Sequence, residues 1–88
     1  MSVDASALSG ELSAVASNTT VAATITGGSG DDTITGGTKA DTLTGNGGAD
    51  SITGNEGNDT LTGGGGNDTF NVDSGFDTIS DLSGSDIL

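Results

Sequence analysis

From Gly27 onward the chain repeats itself every nine residues, and a chain bound to that period has few ways to fold. The units read GGSGDDTIT, GGTKADTLT, GNGGADSIT, GNEGNDTLT and GGGGNDTFN, followed by the weaker VDSGFDTIS and DLSGSDIL. The sixth position of every unit is an aspartate: Asp32, Asp41, Asp50, Asp59, Asp68, Asp77 and Asp86. The eighth is always apolar, from Ile34, Leu43, Ile52, Leu61, Phe70 and Ile79 to Leu88. The fourth is glycine at Gly30, Gly48, Gly57, Gly66, Gly75 and Gly84, and Lys39 alone breaks that column. A flexible Gly-rich linker has no reason to hold Asp and Ile or Leu at fixed offsets, so the pattern specifies a structure.

The columns dictate local conformation. Gly-rich sextets supply turns, and Thr-Ile-Thr or Thr-Leu-Thr triplets suit short strands, because β-branched residues favour a pleated surface. In such a triplet the central apolar residue points to one face and its two neighbours to the other. One large apolar side chain per nine residues makes a core only if units stack. Parallel stacking with two units per coil gives an all-β, right-handed parallel β-roll. It has two short parallel sheets, about 18 residues per coil and coils roughly 4.8 Å apart.

Composition narrows the means of stabilisation. The 88 residues allow one domain with a small core; 30% are hydrophobic, Gly occurs 17 times, and Phe70 and Phe76 are the only aromatic residues. There is no Cys, hence no disulfide or thiolate metal site, and no His, hence no imidazole ligand. Carboxylate and carbonyl oxygen remain, which is the ligand set of hard cations such as calcium. Thirteen acidic residues against the single base Lys39 give a formal net charge of -12, which excludes nucleic acid and anionic membranes as partners. No apolar run reaches the length of a membrane span, so no membrane insertion is expected. The N-terminus also lacks the basic and apolar regions of a cleavable secretory signal, so export would use another route.

With two units per coil, spatial neighbours are units n and n+2, and the aspartates fall into two rows. Asp32, Asp50, Asp68 and Asp86 form one; Asp41, Asp59 and Asp77 form the other. Carboxylates one coil apart repel unless a counter-ion lies between them, and pairing within rows allows up to about five inter-loop sites. The repeat resembles the repeats-in-toxin (RTX), or hemolysin-type, calcium-binding nonapeptide over Gly27 to Leu88. That resemblance implies several calcium ions, each held between stacked turns by the seven aspartates. Loop carbonyls around Gly27, Ser29, Gly45, Gly47, Gly54, Glu56, Gly63 and Gly65 would complete the cages, and flexible cages of six or more oxygens favour calcium over magnesium.

Departures from the pattern single out particular positions. Lys39 in place of glycine implies a different backbone in the Asp41 loop, with its ammonium partly standing in for an ion and the Asp41 site the weakest of its row. The units beginning at Val72 and Asp81 lack leading glycines, which sets Asp77 and Asp86 apart from Asp50, Asp59 and Asp68; a tapering terminus is the alternative role. At the fifth position Asp31, Asn58 and Asn67 suit either support of the ligands or plain solvation, and solvation is expected. The flanking Thr pairs, such as Thr33 with Thr35 and Thr60 with Thr62, would form a hydroxyl ladder. Ice-binding surfaces look similar, but solvent-facing strand threonine explains it as well.

Residues 1–26 read as an N-terminal cap or entry strand segment before the calcium-binding roll of 27–88. Ala23-Thr24-Ile25-Thr26 imitates the end of a unit and predicts an extra strand. Leu8, Leu12 and Val15 leave a helix and a continued, metal-free coil both open. Asp86-Ile87-Leu88 resembles the uncleaved C-terminal signal of type I secretion substrates, which places the protein outside the cell or at its surface. Three functions follow as expectations. The first is a non-enzymatic calcium-folded structural protein that self-associates end to end. The second is a secretion and folding appendage of a larger exported enzyme or toxin, and the third is an adhesive or ice-binding surface. Catalysis ranks last, since the carboxylates are better explained as ligands.

Overall fold

The computed structural model describes residues 2–4, 9–16, 21–72, 75–80 and 86. It is a solenoid of two parallel sheets, and among the described residues it contains no helix. One sheet holds β1 (Ser2–Asp4), β3 (Thr24–Thr26), β5 (Thr42–Asn46), β7 (Thr60–Gly64) and β9 (Thr78–Ser80) in that order. The other holds β2 (Ser13–Val15), β4 (Thr33–Thr35), β6 (Ser51–Thr53) and β8 (Thr69–Asn71). Consecutive strands alternate between the sheets, so every hydrogen-bonded neighbour lies one coil away, as a two-unit coil requires.

Register follows the repeat. Ile25 pairs with Leu43, Leu43 with Leu61 and Leu61 with Ile79 in the first sheet; Ile34 pairs with Ile52 and Ile52 with Phe70 in the second. Each step is 18 residues. Ile25, Ile34, Leu43, Ile52, Leu61 and Phe70 are almost wholly buried and form one apolar file per sheet. Burying each side chain stabilises the fold by roughly 1.5–3 kcal/mol. A core one residue wide leaves little more to draw on.

The N-terminal question resolves in favour of a coil. β1 pairs with β3 and β2 with β4, with Val3 against Ile25 and Ala14 against Ile34. The offsets are longer here, Ser2 facing Thr24 and Ser13 facing Thr33, because this stretch lacks the nine-residue period. Leu12 and Ala23 occupy the places that aspartates take in later coils, so this coil offers no carboxylate at those positions. Leu8 lies outside the described residues, as do Ile87 and Leu88 of the C-terminal motif.

The outer faces carry the expected threonines, with Thr24, Thr42, Thr60 and Thr78 exposed in one register. Thr62 and Ser80 share a hydrogen bond of 2.9 Å on this face.

Candidate metal sites between the turns

The aspartate column does not lie on the surface. Asp32, Asp41, Asp50, Asp59 and Asp68 are 1–2% exposed, alongside the apolar file. Acidic side chains are almost never buried to this degree without a partner of opposite charge or a dense set of donors.

Their geometry reproduces the two rows. The N–H of Asp32 donates to Oδ1 of Asp50 (2.8 Å), that of Asp50 to Oδ1 of Asp68 (3.0 Å) and that of Asp68 to Oδ1 of Asp86 (2.8 Å). In the second row Asp41 donates to Asp59 (2.9 Å) and Asp59 to Asp77 (3.1 Å). Each carboxylate therefore reaches back one coil and ties its turn to the one before. The first members of the rows reach into the repeat-free coil, where Leu12 N–H donates to Asp32 Oδ1 (2.9 Å) and Ala23 N–H to Asp41 Oδ1 (2.8 Å).

The second oxygen separates the turns into two kinds. Oδ2 of Asp32 accepts from Gly28 N–H (2.9 Å) and Oδ2 of Asp41 from Gly37 N–H (2.6 Å), both within their own loops. Oδ2 of Asp50, Asp77 and Asp86 is buried with no hydrogen bond. The backbone explains the difference. Asn46, Asn55 and Gly64 at the second position, and Gly48, Gly57, Gly66 and Gly75 at the fourth, have positive φ, whereas Gly28, Gly30, Gly37 and Lys39 do not. Lysine is accommodated at little cost here because this turn does not use the left-handed conformation. The Lys39 loop thus does differ, but Gly30 shares its conformation. The expected stand-in role of the ammonium is not seen: Lys39 is exposed and Asp41 draws its donors from backbone amides.

Asp50 shows what an unanswered carboxylate costs. Burial, opposed by the hydrogen bond from Asp32 N–H and reinforced by the charges of Asp32, Asp68 and Asp31, pushes its pKa from 3.8 to about 6. The unfolded chain ionises this group near pH 4 while the folded chain resists until about pH 6. The metal-free roll should therefore keep its full share of stability below pH 4 and lose it as pH rises through 6. Circular dichroism of chelator-treated protein should accordingly show more β signal at pH 4 than at pH 7. A signal that grows with pH in chelator would contradict this account of Asp50.

The residues fit a hard cation. The donor set is entirely oxygen, and buried carboxylate oxygens lack donors. The Gly27 α-carbon is flanked by Asp32 Oδ2 and by the carbonyl of Gly45 from the next coil, which lies 2.8 Å from where a Cβ would stand. Gly36 is placed in the same way between Asp41 and the Gly54 carbonyl (2.6 Å). Among the described residues no three acidic side chains gather at one point, so an ion would need carbonyls beside a carboxylate pair.

Residues 26–61, 44–79 and 62–88 each match the family described as RTX calcium-binding nonapeptide repeat (4 copies). The chain belongs to this family. No curated protein and no solved structure matches it. RTX repeats bind calcium and are typically found in secreted proteins, and the buried aspartate rows are where this RTX chain concentrates its acidic oxygen.

Of the carbonyls that the resemblance nominates, Gly45 and Gly54 lie beside the carboxylates of the preceding coil. Gly27 O instead accepts from Asn46 Nδ2 (2.7 Å). For Ser29, Gly47, Glu56, Gly63 and Gly65 a ligand role rests on the resemblance to RTX proteins alone. The N–H groups of Gly47, Glu56 and Gly65 donate to the carbonyls of Gly28, Gly37 and Asn46 and so help stack the turns.

Sequence reasoning missed part of the stacking. Asp31 Oδ1 accepts from Ala49 N–H (2.8 Å) and Asn58 Oδ1 from Phe76 N–H (3.0 Å), so these fifth-position side chains splint the next coil instead of merely facing solvent. Their short side chains with an acceptor oxygen were the available signal. The fourth-position glycines have a second cause as well. A Cβ at Gly57 would stand 2.6 Å from the Lys39 carbonyl, and at Gly30 2.6 Å from that of Gly10, so side chains are excluded where coils meet.

Proposed function

We propose that this RTX chain is a non-enzymatic, extracellular structural protein whose roll folds when it binds calcium and then joins end to end into filaments or matrix. The observation that carries the reading is the interior placement of the acidic rows, with Oδ2 of Asp50, Asp77 and Asp86 buried and lacking a donor. A protein with so small an apolar core gains nothing from burying carboxylates unless something neutralises them.

Asp32, Asp50, Asp68 and Asp86 would hold ions along one row and Asp41, Asp59 and Asp77 along the other, together with turn carbonyls. A bound calcium ion supplies positive charge and oxygen coordination between adjacent turns. The chain's own contribution is to align the carboxylates through the Asp N–H to Asp Oδ1 links, and to exclude side chains where turns meet. Without the ion the rows repel and one apolar residue per unit does not offset chain entropy. With it, binding free energy becomes folding free energy. Low cytosolic calcium then keeps the chain unfolded for export by a type I route, and millimolar calcium outside folds it.

End-to-end joining is supported by the terminal rungs. Val3 of β1 and Ile79 of β9 are only partly buried, and among the described residues both strands lie at the edges of the five-stranded sheet. A second copy stacked on either would cover an apolar rung and satisfy an open strand edge.

Circular dichroism and light scattering during calcium titration of chelator-treated protein, with magnesium as control, test both parts. A cooperative gain of β signal with calcium alone is expected, accompanied by rising scattering. Full β signal in chelator at neutral pH would overturn calcium-driven folding. A calcium-induced signal at constant monomer scattering would overturn the assembly.

A further inference from the structure

In two of the gaps between turns a second-position side-chain amide donates to a carbonyl of the preceding coil. Asn46, the second residue of the third unit, has φ 79 and donates Nδ2 to Gly27 O at 2.7 Å. Asn55 in the fourth unit has φ 74 and donates to Gly36 O at 2.9 Å. Asparagine tolerates this left-handed conformation better than other side-chain-bearing residues. The orientation of each amide is fixed by its partner, because only the nitrogen end can face a carbonyl oxygen. In the fifth unit the same position is Gly64, with φ 98 and no side chain to donate; in the sixth it is Asp73, an acid, which lies outside the described residues.

The turns that receive these amides are also those whose aspartates are satisfied. Asp32 accepts from Leu12 and Gly28 N–H groups, and Asp41 from Ala23 and Gly37. Carboxylate and first-position carbonyl alike are thus answered by N–H donors in the first gap of each row. In the next gap of the first row, by contrast, Oδ2 of Asp50 has no donor.

We propose that Asn46 and Asn55 substitute for calcium in the first gap of each row, so that the N-terminal coil closes without the ion and forms a template for the calcium-dependent coils that follow. The proposal rests on the calcium reading above and refines it. The gaps joining Asp32 to Asp50 and Asp41 to Asp59 need no ion, which leaves about three calcium sites in place of about five. It also gives the Asp41 site of the second row, expected to be weak because of Lys39, a different cause: its gap is closed by the Asn55 amide.

The test combines calcium stoichiometry from native mass spectrometry with amide hydrogen exchange in chelator. The parent chain should bind about three ions. In chelator, Gly47, Ser51, Glu56 and Thr60, whose N–H groups cross the first gaps, should exchange about tenfold more slowly than Gly65, Thr69 and Thr78, which cross later ones. Asn46→Gly combined with Asn55→Gly preserves access to positive φ and removes both amides. This variant should lose the protection difference and bind about two more ions. Five ions with uniform exchange in the parent would overturn this proposal and leave calcium-driven folding standing. The proposal also falls if the double variant changes neither readout. A parent that binds no calcium at all overturns both readings.

Discussion

In calcium titrations the Asp50→Asn variant should bind about one ion fewer than the parent and yet hold more β structure in chelator. The two effects have opposite signs because the carboxylate has two jobs. Its Oδ1 accepts the Asp32 N–H at 2.8 Å, a role that the amide oxygen of asparagine keeps. Its charge is a liability in the metal-free roll, where burial and the neighbouring Asp32, Asp68 and Asp31 raise its pKa to about 6. Removing the charge removes that penalty. It also removes an anionic ligand from the gap shared with Asp68, where no second-position amide is present to take the place of an ion. Asp50→Ala separates the jobs, since it discards Oδ1 as well and leaves the buried Asp32 N–H without an acceptor, at about 1–3 kcal/mol. That variant should be less structured than the parent in calcium and should not share the gain of Asp50→Asn in chelator. If Asp50→Asn instead loses β structure under both conditions, the charge stabilises the fold by some means other than calcium. Unchanged stoichiometry would remove Asp50 from the ligand set.

Much of this arrangement was legible in the repeat because stacking geometry and sequence period are the same quantity. Once Asp32, Asp50 and Asp68 are 18 residues apart in a two-unit coil, they must lie above one another, and the chain of N–H to Oδ1 links bears that out. Less legible was which way each turn bends. The consensus treats Gly28, Asn46 and Gly64 as one column, yet Asn46 and Gly64 have positive φ and Gly28 does not. That choice depends on the coil already in place: Gly28 donates to Asp32 within its own loop, whereas Asn46 reaches back to the carbonyl of Gly27. Contacts between loops nineteen or so residues apart do not appear in a unit-by-unit alignment of columns. The N-terminal coil was ambiguous for the converse reason. Its 20- and 22-residue offsets break the period, and Leu12 and Val15 suit a helix until pairing of β2 with β4 recruits them.

Leu61→Ala should lower stability in saturating calcium by about 2–5 kcal/mol, measured by urea denaturation, against a total of roughly 5–15 kcal/mol for a small domain. Leu61 is fully buried, with Leu43 on one side and Ile79 on the other in the same sheet. The cost should fall at the upper end of that range because the cavity has little chance to collapse. Strands on both sides are held in register by ladder bonds and by the aspartate links, and the file is one side chain wide. Phe76→Ala is the control. Phe76 is 86% exposed, so despite its larger side chain the substitution should change stability by no more than about 0.5 kcal/mol. Since calcium binding and folding are linked, the Leu61→Ala loss should also appear as weaker apparent calcium affinity. About 4.2 kcal/mol spread over about three ions is about 1.4 kcal/mol each, which moves the calcium midpoint of folding upward about tenfold. A denaturation change without a shift in calcium midpoint would mean that the roll forms before the ions bind. The stability of that metal-free roll would then fall as pH rises through the raised pKa of Asp50, about 6.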